Sequence, residues 1–82
     1  MINTAIIKSM FKNYHINKII MIEEKDFYAF IIGPMNKSIS IERWEHLENI
    51  LKDYTKKDVS LIPYKQAYNQ LGKKYLEKGV SI

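Results

Sequence analysis

The chain has 82 residues, a net charge of +4 and no cysteine, and 46% of its residues are hydrophobic. This hydrophobic share excludes an intrinsically disordered segment, and the lack of cysteine excludes disulfides and thiolate chemistry. The length predicts one small domain over residues 1–82, because domains typically hold roughly 100–150 residues. Such a domain has a thin core, so we expect a protein partner or a homodimer to supply further buried area.

The composition also predicts a cytoplasmic location. Small secreted domains usually depend on disulfides, which this chain cannot form. No run reaches the roughly 18 apolar residues of a membrane helix, so no membrane association is expected. The N-terminal residues show neither the long apolar run nor the small-residue cleavage site of a signal peptide.

Lysine dominates the charge, with 12 lysines against one arginine. Ile, Lys, Asn and Tyr, which all have AT-rich codons, fill 38 of the 82 positions, and this favours a phage or another mobile element of a low-GC bacterium. Residues 1–22 carry +3, residues 23–48 carry −3 and residues 49–82 carry +4. The basic ends favour a polyanion or an acidic protein as a partner.

The first predicted element is a helix over residues 4–14, with Asn3 as its N-cap. Lys8 and Lys12 fall on its polar face. Its apolar face recurs at helical spacing and is predicted to lie on the core: Ile6, Ile7, Met10, Phe11 and Tyr14.

A β-hairpin is predicted next, with strands over residues 18–23 and 27–33 joined by a short polar turn. Both strands are apolar on both faces, and such strands are covered on both faces. We expect that three helices leave part of this sheet for an interface.

Three further elements complete the predicted order α-β-β-α-β-α: a helix over 41–56 capped by Ser38 or Ser40, a strand over 58–62, and a helix over 64–78 that ends at Gly79. The fold class is therefore α+β, with a three-stranded sheet packed with three helices. The apolar stripes of the two helices are predicted to be buried: Ile41, Trp44, Leu47, Leu51 and Tyr54, then Tyr64, Ala67, Tyr68, Leu71 and Tyr75.

The segment from Gly33 to Ser38 follows a strand and precedes a helix, as a phosphate-binding loop does. Ile31 and Asn36 stand where G-x-x-x-x-G-K-[ST] needs glycine, which argues against a nucleotide-binding loop. Lys37 and Ser38 remain candidates for holding a single phosphate at the helix start. The alternative is an ordinary capped turn.

No catalytic site, cofactor or metal is expected, and the protein is predicted not to be an enzyme. Glu42 and His46 are four residues apart on one helix, but a zinc site needs three or four ligands. No nucleophile lies near either histidine in sequence. Glu23 and Glu24 are predicted to be solvated residues of the hairpin turn.

The lysines at the two ends are candidate phosphate contacts, because lysine supplies most non-specific affinity for nucleic acid. A single arginine argues against specific base readout. The tyrosines of the last helix are assigned to the core rather than to base stacking. Any binding would then tolerate all sequences. The candidate residues are Lys8, Lys12, Lys18, Lys73 and Lys74.

Arg43 and Trp44 are candidates for a protein interface, with burial in the core as the alternative for Trp44. These observations favour a non-enzymatic accessory or binding subunit of a larger complex, in DNA replication or processing on a phage or other mobile element. The alternative is a small protein inhibitor or regulator, of the phage anti-host type, which binds protein without nucleic acid.

Overall fold

The computed structural model describes residues 2–33 and 40–82, and the side chain of Leu71 lies outside the described part. Its elements are α1 (Thr4–Lys12), β1 (Ile19–Glu23), β2 (Phe27–Ile32), α2 (Ile41–Thr55), β3 (Asp58–Pro63), α3 (Tyr64–Leu71), α4 (Lys73–Glu77) and β4 (Val80–Ser81). The strands form one mixed sheet in the order β3-β2-β1-β4. The α+β class is confirmed.

The predicted hairpin is confirmed: β1 and β2 are antiparallel, and Met21 lies opposite Phe30. Strand β3 is parallel to β2, with Ala29 opposite Ser60, and α2 connects the two. A parallel pair needs a crossover connection, and the 15 residues of α2 supply it.

Helix α1 begins as predicted, because the Asn3 Oδ1 atom accepts a hydrogen bond from the Ala5 backbone N–H at 2.8 Å. The helix ends at Lys12, two residues before the predicted end. A turn follows, in which His15 adopts a left-handed φ of 63°. This turn reverses the chain and returns Ile16 to the core, where 2% of the residue is exposed.

Helix α2 is capped at both ends. The Ser40 Oγ atom accepts a hydrogen bond from the Arg43 N–H at 3.3 Å, so Ser40 is the N-cap, whereas Ser38 lies outside the described residues. Lys56 ends the helix with a left-handed φ of 61°. The Thr55 hydroxyl donates to the Leu51 carbonyl at 2.8 Å, which satisfies this buried side chain.

The predicted last helix, 64–78, is wrong as one continuous element. Gly72 breaks it with φ 82° and ψ 164°, a conformation that only glycine adopts readily. The prediction of three strands is also wrong, because the chain continues past Gly79 into β4. Strand β4 pairs antiparallel with β1, with Ser81 opposite Ile20. Apolar periodicity carries no signal for a strand of two residues.

The sheet carries a hydrophobic core on each face. The first core lies under α1 and α2 and contains Ile7, Phe11, Ile16, Ile19, Tyr28, Phe30, Ile32, Leu47, Leu51, Val59 and Leu61. The second core lies under α3 and α4 and contains Ile22, Ala29, Ile31, Ala67 and Leu76. The alternating side chains of β1 and β2 divide between these two cores, as strands that are apolar on both faces require.

Four residues predicted to be buried are exposed instead. Tyr64 and Tyr68 are 43% and 51% exposed, and Ile6 and Ile41 are 44% and 77% exposed. On α3 the centre of the contact is Ala67, which is fully buried. Among the described side chains of α3 only Ala67 is buried, so the buried face is narrow and both tyrosines lie beside it.

We predict that Gly79→Ala destabilises the fold by about 1–3 kcal/mol, the usual cost of overpacking. A Cβ atom at Gly79 would collide with the Ile20 side chain and approach the Ile22 Cγ1 atom to 3.0 Å. Urea unfolding followed by circular dichroism measures the change. The matched control is the Ile20→Ala background, which removes the first collision and should reduce the cost of the new methyl group. An equal cost in both backgrounds would contradict the contact.

Candidate functional site

A groove opens on the second face of the sheet, between the start of α3 and the ends of β1, β2 and β4. We call it the tyrosine groove. Its volume is about 430 Å³, within the roughly 300–1,000 Å³ of small-ligand sites. The described residues that line it are Lys18, Ile19, Ile20, Ile31, Gly33, Tyr64 and Ser81.

Two exposed aromatic rings stand at this groove. Tyr64 lines it, and the ring of Tyr68 stacks on that of Tyr64 with centroids 6.4 Å apart and an interplanar angle of 28°. The two residues are one helical turn apart, so they share a flank of α3. Lys65 is adjacent to this flank on the helical wheel, farther from the sheet, and is exposed. The flank thus combines two π faces with a cation.

No carboxylate residue occurs in this part of the chain. Residues 59–76 contain Lys65, Lys73 and Lys74 and no Asp or Glu. The lining of the groove adds Lys18, whose Cβ atom lies 2.6 Å from where a side chain at Gly33 would begin. Glycine at position 33 therefore lets Lys18 pack closely against the end of β2. The described residues that line the groove thus include one cation, Lys18, and no carboxylate.

The five lysines predicted to contact nucleic acid do not form one patch. Lys8 and Lys12 lie on α1, over the first core, whereas Lys73 and Lys74 begin α4, which contributes to the second core. Lys18 precedes β1 and lines the tyrosine groove. All five are exposed. The one ion pair between described residues joins Lys57 to Glu23, so these five lysines have no carboxylate partner in the described structure.

Arg43, one of the two candidate protein-interface residues, lies at a second groove, between α1 and α2, which we call the helix groove. Its volume is about 560 Å³, and Met10, Tyr14, Arg43, His46 and Ile50 line it with Asn13 and Glu42. The Arg43 guanidinium lies over the Tyr14 ring, 5.0 Å from its centroid. Trp44 is partly buried and packs against the first core, in agreement with the alternative considered for it.

Other predicted sites gain no support. Lys37 and Ser38, the candidates for a single phosphate, lie outside the described residues. Glu42 and His46 both line the helix groove, but residues 2–33 and 40–82 contain no group of three or more His, Asp or Glu placed to hold a metal ion.

A polar cluster lies where the hairpin turn meets the end of α2. The Tyr28 hydroxyl donates to the Glu23 carboxylate at 2.7 Å, and the Lys57 ammonium lies 3.7 Å from the same oxygen. That ammonium also stands over the Tyr28 ring, 4.9 Å from its centroid. The hydrogen bond to Glu23, helped by burial, raises the pKa of Tyr28 to about 12. A phenol that stays protonated so far above neutrality is a poor acid or base for catalysis.

Tyr75, whose side chain lies near Glu24 of the same turn, also has a raised pKa. Burial and the nearby negative charge of Glu24 raise the pKa of Tyr75. The Lys78 ammonium lies 5.6 Å from the Tyr75 ring centroid. This end of the molecule is therefore held by aromatic rings, carboxylates and lysines that satisfy one another.

Comparison with protein family models, with curated proteins and with solved structures finds no match for this chain. Among the described helices, none combines the length and the apolar character that crossing a membrane requires. The functional proposal therefore depends on the geometry of the described residues and on the composition of the chain.

Sequence reasoning missed the exposed tyrosine pair. It assigned Tyr64 and Tyr68 to the core because they recur at helical spacing with Ala67. A finer signal was present: on the helical wheel, Tyr68 lies between the apolar stripe and Lys65. Gly72 was a second signal, because a glycine within a helical pattern favours a helix end, and α3 does end there.

We predict that Glu23→Gln lowers the pKa of Tyr28 from about 12 toward that of an ordinary tyrosine, because the acceptor carboxylate charge is lost. Absorbance titration of the tyrosines at alkaline pH measures the shift. The variant Tyr28→Phe shows which ionisation step belongs to Tyr28, because that step is missing from its titration curve. The raised pKa favours the folded state below about pH 10, and this stabilisation is lost as the pH rises toward about 12. A step that is unchanged in the Gln variant would contradict the assignment.

Proposed function

We propose that the protein is a non-enzymatic binding subunit that holds nucleic acid within a larger complex. The observation that carries this proposal is the set of exposed lysines that lack a carboxylate partner in the described structure. They lie on α1, at the tyrosine groove and at the start of α4: Lys8, Lys12, Lys18, Lys73 and Lys74.

Unpaired lysines suit phosphate binding because they lose no ion pair when a phosphate approaches. Each phosphate that a lysine neutralises releases condensed counterions, and this release supplies most non-specific affinity. The acidic residues are concentrated elsewhere, in residues 23–48, which carry −3. The charge is thus separated along the chain, and its basic ends favour a polyanion as a partner.

The same residues predict weak binding that tolerates all sequences. The chain has one arginine, and Arg43 lies over Tyr14 rather than beside the lysines. Lysine binds phosphate as a point charge and lacks the planar, bidentate geometry with which arginine reads guanine. A subunit of this kind gains useful affinity when a partner or a second copy adds further contacts. Val80, 60% exposed on the edge strand β4, is available for such a contact.

Support for the biological setting comes from the composition. The excess of residues with AT-rich codons favours a phage or other mobile element of a low-GC bacterium, and sequence-tolerant binding suits DNA replication or processing. The polar cluster around Tyr28 is explained as a structural contact, because the Tyr28 hydroxyl donates to the Glu23 carboxylate and the Lys57 ammonium lies near the same oxygen.

The helix groove favours a second candidate function, a protein inhibitor or regulator that binds without nucleic acid. Its lining places Met10 and Ile50 beside the Arg43–Tyr14 pair. Arginine and tyrosine are enriched among residues that dominate protein interfaces, and methionine adapts to varied partners. Binding at the helix groove would not involve the unpaired lysines, because none of them lines it.

The test of the first proposal is the double variant Lys8→Glu/Lys12→Glu. Both residues are exposed on α1, so we expect weaker binding to every oligonucleotide and a shallower dependence of log affinity on log salt. Each contact removed changes the slope by about 0.7 on single strands and about 0.9 on duplexes. Fluorescence anisotropy with labelled oligonucleotides at roughly 50–200 mM salt measures both effects.

The control variant is Lys25→Glu/Lys56→Glu, which changes the net charge equally at two other exposed positions. Lys25 lies among the acidic residues of the hairpin turn, so its reversal should change the affinity little. Lys12 lies in the last turn of α1, where the helix dipole favours a positive charge, so its change to Glu removes a stabilising charge. Thermal unfolding must therefore show that the first variant stays folded. Equal losses in both variants, or no binding by the wild type at low salt, would contradict the proposal and favour the second candidate.

A further inference from the structure

We propose that the tyrosine groove and the adjacent flank of α3 bind unpaired bases, which makes the ligand class single-stranded nucleic acid. This inference rests on the proposed function and deepens it. The lysines of α1 would hold phosphates of any nucleic acid, whereas the groove would recognise a strand whose bases are free.

The aromatic rings carry the first step. Tyr64 and Tyr68 are 43% and 51% exposed, and their rings stack on each other with centroids 6.4 Å apart. Neither hydroxyl takes part in a hydrogen bond with another described residue. Exposed rings on one helical flank are the platforms on which successive unpaired bases stack, and stacking tolerates any base because every base has a π face.

The charges around the rings carry the second step. Lys18 lies in the groove beside Tyr64, and Lys65 lies next to the tyrosine flank. Residues 59–76 contain no carboxylate that would repel a phosphate. A backbone that follows the flank would therefore meet cations on both sides of the stacked bases. This alternation of cation and ring is what a strand with charged phosphates and apolar base faces requires.

The shape of the site selects single strands over duplexes. In a duplex the base faces are covered by their neighbours, and only their edges are reachable in the grooves. The tyrosine groove, of about 430 Å³, is lined beside Tyr64 by Ile20 and Ile31, which belong to the second face of the sheet. Such walls contact the face of a flat group and offer few donors or acceptors for reading base edges.

The experiment compares two strands that differ only in their bases. A fluorescein-labelled oligothymidylate and an abasic oligonucleotide of the same length carry the same phosphates, so only contacts with the bases distinguish them. We expect the wild type to bind the oligothymidylate about 5- to 150-fold more tightly per stacked base. A duplex of the same length should gain no affinity from the two tyrosine rings, because its base faces are covered.

The variants separate stacking from apolar contact. Tyr64→Leu/Tyr68→Leu keeps apolar side chains but removes the rings, and should lose the preference for the oligothymidylate while still binding the abasic strand. Tyr64→Phe/Tyr68→Phe should keep the preference. The control, Gln66→Ala/Gln70→Ala, removes the side-chain pair on the opposite flank, where the two amides are 3.5 Å apart, and should change nothing. Thermal unfolding checks that each variant is folded.

Three results would overturn the inference. Equal wild-type affinity for the oligothymidylate and the abasic strand, with binding still dependent on Lys8 and Lys12, would leave the proposed function standing and remove base stacking. The same affinities in the Leu and Phe variants would also remove it. Preferential binding of a polyglutamate peptide through the two tyrosines would assign the groove to an acidic protein.

Discussion

The need to cover a sheet that is apolar on both faces shapes the rest of this structure. Alternate residues of β1 and β2 point into separate cores, so helices must pack on both sides of a sheet built from few residues. The first face receives α1 and the long α2. The second face receives only the short helices α3 and α4, and the tyrosine groove lies where their cover ends.

Gly72 determines how that second face is covered. A continuous helix over the last part of the chain could not place both Ala67 and Leu76 on the sheet and still return the chain to β1. The break at φ 82° redirects α4, and Gly79 then passes close to Ile20 so that β4 can pair with β1. The short α3 that results buries Ala67 and leaves its tyrosines at the rim. The exposed rings are therefore a consequence of the topology.

Sequence reasoning predicted the elements that have strong local signals. The apolar strands of the hairpin, the Asn3 cap and the long α2 follow from periodicity and capping, and all are present. It failed where tertiary context decides. Helical spacing placed Tyr64 and Tyr68 in the core, because a wheel cannot show how wide a stripe the sheet will accept. Likewise, β4 pairs with β1 where Gly79 passes close to Ile20, an approach that no local pattern reveals. The prediction that five lysines contact one nucleic acid met the same difficulty. Their order along the chain did not show that α1 and α4 pack on opposite faces of the sheet.

That division of the lysines bears on which form of nucleic acid fits the proposed function. The molecule measures 31 × 28 × 20 Å, and its unpaired lysines lie on elements that pack on opposite faces of the sheet. Duplex DNA has a persistence length of about 50 nm, so a duplex cannot bend around a body of this size at low cost. A duplex would meet the lysines of one face only. An unpaired strand is flexible and could pass from α1 to the groove, which Lys18 lines. The distribution of charge and the exposed tyrosines thus favour the same ligand for independent physical reasons.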